Sequence, residues 1–184
     1  GVCIKNKWGY IDKEGKEITE IKYDEAEEFK RGFAKVNIGR KKKENGDEVF
    51  PGDWGLINKS GKEVIPLQYA SIEEVSDTLF AVCLKGKWGL ISNEGREITP
   101  LLYDFIGQYT EGLAPVRVRN KWGFIDASGK EAVALNYDEA GSFKDGVARI
   151  KLNGWWGIID KDGKGITPIK YDSIKNTMSG LLQV

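Results

Sequence analysis

Acid–base chemistry in this chain would have to be carried by carboxylates. Its 184 residues include no His, which removes the Ser–His and Cys–His nucleophile pairs, His-ligated zinc and any His-based pH switch. Paired carboxylates can hydrolyse a glycosidic bond. The acid-rich segments Asp160-Lys161-Asp162-Gly163 and Asn45-Gly46-Asp47-Glu48 invite a hard cation. Both are too short for a calcium loop, and Lys161 stands where a ligand is needed, so no metal and no cofactor are expected. Stacking is the other chemistry on offer, because indoles make platforms for sugars and methylated amines, and the chain has 6 Trp. Cys3 and Cys83 are too few for a disulfide framework and are expected to be two free thiols.

The spacing of these residues weighs against catalysis. Trp-Gly occurs at Trp8, Trp54, Trp88, Trp122 and Trp156, the last three intervals being 34 residues and the first 46, which places a 12-residue insertion in one unit. Ile follows each Trp by three places (Ile11, Ile57, Ile91, Ile125, Ile159), Gly by seven (Gly15, Gly61, Gly95, Gly129, Gly163) and Tyr by fifteen (Tyr23, Tyr69, Tyr103, Tyr137, Tyr171). The next residue is Asp24, Ala70, Asp104, Asp138 or Asp172. A side chain present in every unit does what every unit needs, namely packing. The five Trp and five Tyr are therefore read as structural, each Asp as closing its turn and each Tyr hydroxyl as bonded to backbone. The Gly after each Trp is read as admitting a neighbouring backbone. No catalytic residue is assigned.

These positions must be held by strands. Between Gly112 and Tyr137, Ala114, Val116 and Val118 alternate with Pro115, Arg117 and Arg119, which is the two-residue period of a strand. Asn120-Lys121 is read as a reversal matched by Lys85-Gly86-Lys87 and Asn153-Gly154. A second strand is expected over 122–126, a Gly turn at 127–130, a third strand near 131–133 and an extended piece over 138–143. Each unit is thus an antiparallel sheet of three or four strands, which must stack on neighbours to bury its faces. The simplest packing sets the flat face (Ala114, Val116, Val118, Gly123, Ile125) of one unit on the Trp face (Arg117, Arg119, Trp122, Phe124, Asp126) of the next, with Arg and Lys stems over the indoles.

Residues 1–184 read as one all-β repeat domain with an inserted hairpin or loop at about 39–53. Five units closing on their own phase favour a small five-bladed β-propeller over an open β-solenoid or stack of hairpins. With 28 Lys+Arg against 28 Asp+Glu the formal charge is zero, which argues against a nucleic-acid binder. No apolar run approaches the roughly 18–20 residues of a membrane span. The chain starts at Gly1 with no visible signal peptide and reads as a mature form or part of something longer.

The pattern Lys-Trp-Gly-x-Ile-Asp-x-x-Gly-Lys-Glu, Pro-Leu-x-Tyr-Asp, Phe-x-x-Gly-Leu-Ala-x-Val, legible at 7–12 and 121–126, resembles the bacterial WG-repeat (KWG-repeat) family over essentially the whole chain. It departs at Asp53, at Gly165 and at the insertion. The resemblance implies a bacterial repeat scaffold for interaction, with no catalytic residues to carry over. The expected partner is a protein or another domain of the parent chain, and alternatively a carbohydrate held on exposed aromatics. Specific contacts should lie where the copies differ: Arg40, Lys42 and Phe50 in the insertion, Trp155 where other units have Lys7, Asp53, Lys87 and Lys121, and the apolar Leu102 and Phe105 flanking Tyr103-Asp104.

Overall fold

A computed structural model describes the backbone of residues 1–39, 41–42, 48–50, 52–176 and 182–183, with side chains over 1–39 and 52–175. All regular elements among the described residues are strands. Three complete units are four-stranded antiparallel sheets whose strands neighbour one another in chain order. The Trp54 sheet holds Glu25–Ala26, Phe33–Ile38, Asp53–Asn58 and Glu63–Tyr69. The Trp88 sheet holds Ser71–Glu74, Leu79–Leu84, Lys87–Ser92 and Glu97–Tyr103. The Trp122 sheet holds Phe105–Ile106, Leu113–Val118, Lys121–Asp126 and Glu131–Tyr137. The Trp8 sheet pairs Val2–Ile4 with Lys7–Gly9, and the Trp156 sheet joins Glu139–Ala140, Val147–Leu152 and Trp155–Asp160. In these two sheets the last strand is reduced to isolated bridges, Trp8↔Tyr23 with Ile11↔Glu17 and Trp156↔Tyr171 with Ile159↔Gly165, and after the Trp156 sheet Lys175–Asn176 pairs with Leu182–Gln183. The inserted segment forms a short hairpin, Lys41–Lys42 with Glu48–Phe50.

Each unit differs from the sequence reading in two places, both for backbone reasons. The strand expected near 131–133, the last of the Trp122 sheet, runs to Tyr137, and the extended piece that follows belongs to the next sheet, where Glu139 pairs with Lys151. The hairpin reverses at Arg119-Asn120, because Val118 pairs with Lys121. Arg119 takes φ +50° there, as Lys85 (+52°) and Asn153 (+53°) do in their hairpins. Such a conformation costs a non-Gly residue about 1 kcal/mol or more, and its N–H is correspondingly well bonded, as described below.

The Trp-Gly pair is explained by a bulge. Trp88 pairs with Tyr103 and Leu90 with Thr99, so two steps on one strand face four on the other. The same slip occurs at Trp54/Leu56 and Trp122/Phe124. The extra backbone folds in over the glycine: a Cβ on Gly55, Gly89 or Gly123 would lie 2.8–2.9 Å, 2.8 Å or 2.5 Å from atoms of that strand. The approaching backbone is thus the unit's own last strand, and Gly is the residue that leaves room for it. Where the opposing residue is Thr, its hydroxyl fills the gap by accepting from the strand: Tyr10 N to Thr19 Oγ1 at 3.0 Å, Leu90 N to Thr99 Oγ1 at 3.0 Å, Ile158 N to Thr167 Oγ1 at 3.1 Å.

Four apolar clusters hold consecutive sheets together. Tyr10 and Tyr23 meet Ala34, Val36 and Ile57. Leu56, Ile65 and Tyr69 meet Phe80, Val82 and Ile91. Leu90 and Tyr103 meet Ala114, Val116 and Ile125. Phe124 and Val133 meet Ala148, Ile150 and Ile159. Strand alternation makes this possible: the residue two after each Trp looks toward the following sheet, and the Ile three after it toward the preceding one. The flat face does lie against a Trp-side face, but of the preceding unit, which reverses the expected order. The contacts themselves are made by aliphatics, Phe and Tyr, while the indoles sit at the cluster edges, as Trp54 and Trp88 do.

The Trp8 sheet differs from the sheets that follow it. Ile57, Ile91, Ile125 and Ile159 are 1–6% exposed, whereas Ile11 at the same position is 40% exposed. A Cβ on Gly61, Gly95 or Gly129 would lie 2.4–2.5 Å from an atom of the preceding sheet, and one on Gly163 3.2 Å from it, but Gly15 has nothing within 4 Å. Ile166, which follows the Trp155–Asp160 strand, is 54% exposed.

Candidate functional site

Polar residues at repeated positions are consumed by turns and joints. The residue four after each Trp is Asp12, Asn58, Ser92, Asp126 or Asp160, and its side-chain oxygen accepts two N–H groups of the following Gly turn. Asp126 Oδ1, for example, takes Ser128 N at 2.9 Å and Lys130 N at 3.1 Å. These are Asx-type caps, and the Ser128 hydroxyl, which bonds the same oxygen, is the first cause holding the Asp126 carboxyl below the usual range.

The Asp after each Tyr joins two units. Lys7 Nζ donates to Asp24 Oδ1 at 2.5 Å, while Asp24 Oδ2 accepts Gly39 N at 2.8 Å in the next sheet. Asp138 takes Lys121 Nζ and Asn153 N, each at 2.7 Å. Asp104 takes Lys87 Nζ and, at 2.5 Å, Arg119 N, the strained hairpin residue. The lysine that precedes Trp-Gly thus reaches its own unit's Asp, which in turn caps the hairpin of the following unit. The sequence holds a partial signal for this joint: Asp53 replaces the lysine in the one unit where Ala70 replaces the aspartate, whereas Trp155 replaces it in a unit that keeps Asp172.

Those bonds set a pH dependence. The Lys87 ammonium first, then the Arg119 N–H, hold the Asp104 carboxyl below its usual range, and Lys121 with Asn153 N–H do the same for Asp138. A carboxyl lowered in the folded state adds stability above its unfolded pKa and loses it as pH falls through the ordinary carboxylate range toward the folded value. Urea midpoints are therefore expected to drop on acidification, and an Asp104→Asn, Asp138→Asn protein to show a lower midpoint at neutral pH with a shallower acid limb. Rebuilding the missing joint runs the other way: Asp53→Lys with Ala70→Asp is expected to add about 0.5 kcal/mol beyond the sum of the single changes, read by a double-mutant cycle.

Other expectations fare unevenly. Tyr23, Tyr69 and Tyr103 are buried, and burial pushes the Tyr23 and Tyr103 hydroxyls up. The hydroxyls that bond backbone, however, belong to other tyrosines: Tyr10 to Glu27 O at 2.5 Å and Tyr109 to Asp126 O at 2.8 Å. Burial pushes the Tyr10 hydroxyl up to about 12, which keeps it a donor. The five repeated tyrosines contribute their rings, at the interfaces and as cross-strand partners of the indoles. Cations do cover indoles: Lys35 over Trp54 at 5.8 Å, Arg117 over Trp122 at 5.5 Å, and Arg149 (6.0 Å) and Lys151 (5.4 Å) over Trp156. Cys3 and Cys83 are both free, Cys3 exposed and Cys83 buried.

Of the candidate contact residues, Phe105 is exposed and stands 5.3 Å from the Trp122 ring, on the row Phe105–Arg117–Trp122–Tyr137 across one sheet. Leu102, also exposed with its neighbour Leu101, lies on the bulged last strand of the Trp88 sheet. Trp155 is exposed beside its hairpin turn, opposite Leu152. Phe105 and Trp122 thus share one patch, and no ring contact or hydrogen bond among the described residues ties Trp155 to it. Lys42 and Phe50 fall on the inserted hairpin, described by its backbone alone. Arg40 lies outside the described residues.

A cleft of about 200 Å³ opens between the Trp54 and Trp88 sheets, floored by Leu56, Phe33 and Phe80. Five of its rim charges are paired, Arg31 with Glu74 at 2.5 Å and with Asp77, and Lys35 with Glu27 at 3.0 Å. Sequence reading missed this cleft, which only the stacking of two loops creates. Among the described residues the carboxyls of Asp104, Glu111, Asp126 and Asp138 are held below the usual range by hydrogen bonds from neighbouring side chains and backbone. No cluster of three or more metal-ligating side chains occurs among the described residues.

Sheets joined this way define an all-β repeat protein whose repeated chemistry is its own assembly rule: Gly for the bulge, Asp for the cap, Lys and Asp for the joint. The profile of the WG-containing repeat matches residues 8–41, 54–88, 88–122, 122–154 and 156–184, and the chain belongs to that family. No curated protein and no solved structure matches it.

Proposed function

We propose that this chain is a non-catalytic β-repeat scaffold that binds a protein, or another domain of its parent chain, through the apolar side chains at which its units differ. The observation that carries the reading is the commitment of the repeated polar groups to caps and joints, while Leu102 and Phe105, which replace polar residues of the other units, stand exposed. Phe105, exposed and against the Arg117-covered ring of Trp122, suits a protein surface. The scaffold is an open stack in place of the ring that phase alone favours, a reading supported by the exposure of Ile11 and Ile166 and by the open space at Gly15. Quantitative affinity capture by wild type and by a Leu102→Ser, Phe105→Ser protein tests the reading. Partners retained by the first and lost by the second support it, and an identical set overturns the patch. Binding on a glycan array that requires Trp155 would favour a carbohydrate module, and turnover of chromogenic glycosides would make the protein a hydrolase.

A further inference from the structure

The interface between the Trp54 and Trp88 sheets is packed unlike the other three. In those, the residue six after the repeated Tyr is aromatic (Phe29, Tyr109, Phe143) and lies against the residue two after Trp or its cluster. Phe29 stands 4.9 Å from Tyr10, Phe143 stands 4.7 Å from Phe124, and Tyr109 packs on the cluster that holds Leu90. In the Trp88 unit the same place is Val75, which joins the cluster of Leu90 and Ala114 instead of that of Leu56. The reason is local. The first strand of the Trp88 sheet runs four residues, Ser71–Glu74, where Glu25–Ala26, Phe105–Ile106 and Glu139–Ala140 run two. Strand alternation then carries Ile72 and Glu74 to the side of the preceding sheet and Val75 to the other. Phe80, which stands where other units have Ala34, Ala114 and Ala148, fills part of the vacated slot and meets the Phe33 ring at 5.9 Å. What stays open over Leu56 is the cleft.

Its size and lining select an occupant. A volume of about 200 Å³ is below the roughly 300–1,000 Å³ of a small-molecule site and suits one side chain. The floor of Leu56, Phe33 and Phe80 takes an apolar stem, and the walls carry five carboxylates against three cations. Arg31 and Lys35 are engaged by Glu74, Asp77 and Glu27. Glu28 and Glu73 are exposed and have no ion pair among the described residues, although Glu73 accepts the Ser71 hydroxyl at 3.2 Å. The cleft is thus a negative spot in a chain of zero formal charge, and it favours a cation on an aliphatic stem.

We propose that this cleft binds an arginine side chain presented by an extended segment of a partner protein, its stem over Phe33 and Phe80 and its guanidinium on Glu28 and Glu73. Arginine fits better than lysine because its planar fork engages two carboxylates at once and stacks on rings. The molecule makes both contacts from within: Arg31 of one unit bridges Glu74 and Asp77 of the next, and Arg117 and Arg149 cover indoles. The cleft lies between a different pair of sheets from the Phe105 surface, so either site can fail while the other stands.

Amide NMR titration of the full chain with capped pentapeptides, four alanines around a central Arg, norleucine or Glu, tests the inference. The Arg peptide should shift amides of 27–35 and 73–80 and bind in the millimolar range expected of a single side chain. The norleucine peptide keeps the stem and loses the charge, so it should bind at least roughly fivefold more weakly, and the Glu peptide should not bind. A Glu28→Gln, Glu73→Gln protein changes only exposed side chains and should keep the wild-type fold. Its affinity for the Arg peptide should fall at least roughly fivefold, with that for the norleucine peptide unchanged. An Arg peptide that shifts nothing or shifts amides elsewhere, equal binding of the Arg and norleucine peptides, or a double variant that binds the Arg peptide like wild type would each overturn the proposal.

Discussion

A Phe124→Ala protein is expected to lose about 3–5 kcal/mol of stability in urea denaturation. Phe124 is fully buried between the Trp122 and Trp156 sheets, with its ring 4.7 Å from that of Phe143 and Leu113, Val133, Ile150 and Ile159 in the same cluster. Truncation removes the transfer free energy of the ring and leaves a cavity between two sheets that are held apart by their remaining contacts. Because the described apolar clusters each join consecutive sheets, the damage should be local: amides of 147–160 should gain exchange before those of 79–92. A loss below about 1 kcal/mol would mean that this interface does not hold the Trp156 sheet in place.

The second large effect concerns the glycine beside the indole. Gly123→Val is expected to cost roughly 3 kcal/mol or more, because a Cβ there would stand 2.5 Å from Val133 O and 2.9 Å from Ala134 C. Both are backbone atoms of the bulged strand, so no flexible side chain can yield. The same change at Gly157 should be milder, its nearest neighbour being Ile169 Cγ1 at 2.8 Å. Gly112→Ala meets nothing within 4 Å at φ +90° and should cost only the left-handed penalty, on the order of 1 kcal/mol. Thermal denaturation of the three variants gives the order Gly123, then Gly157, then Gly112, and equal shifts would argue against the bulge as the reason for the Trp-Gly pair.

Much of this architecture can be read from residue spacing, since strands, Gly turns and turn-capping acids are local. Ala114, Val116 and Ile125 mark a face by alternation alone, and Asp126 is positioned to cap within four residues. What spacing does not carry is direction and partner. A single sequence shows that two faces exist, but not which neighbour each one meets, so the stacking order came out reversed. The bulge was invisible because it lies in the register between strands, and the hairpin at Arg119-Asn120 was misplaced by one residue because the Asp that supports it comes from the preceding unit. The Lys–Asp joint was within reach, through the paired loss at Asp53 and Ala70. Among the candidate contact residues, the exposure of Trp155, Leu102 and Phe105 was foreseeable from their breaking the repeat, whereas the Phe105–Trp122 contact needed the cross-strand register.

Native-state amide hydrogen exchange tests the open stack of like sheets most directly. Stability in such an array is a sum of neighbour interfaces, and an outer sheet has one where an inner sheet has two. The account predicts that amides of the Trp8 sheet, over 2–11, exchange fastest and that those of the Trp88 and Trp122 sheets, over 79–92 and 113–126, exchange slowest. Equal protection of the Trp8 sheet and the two central sheets would contradict it, because only a face covered on both sides gives that result.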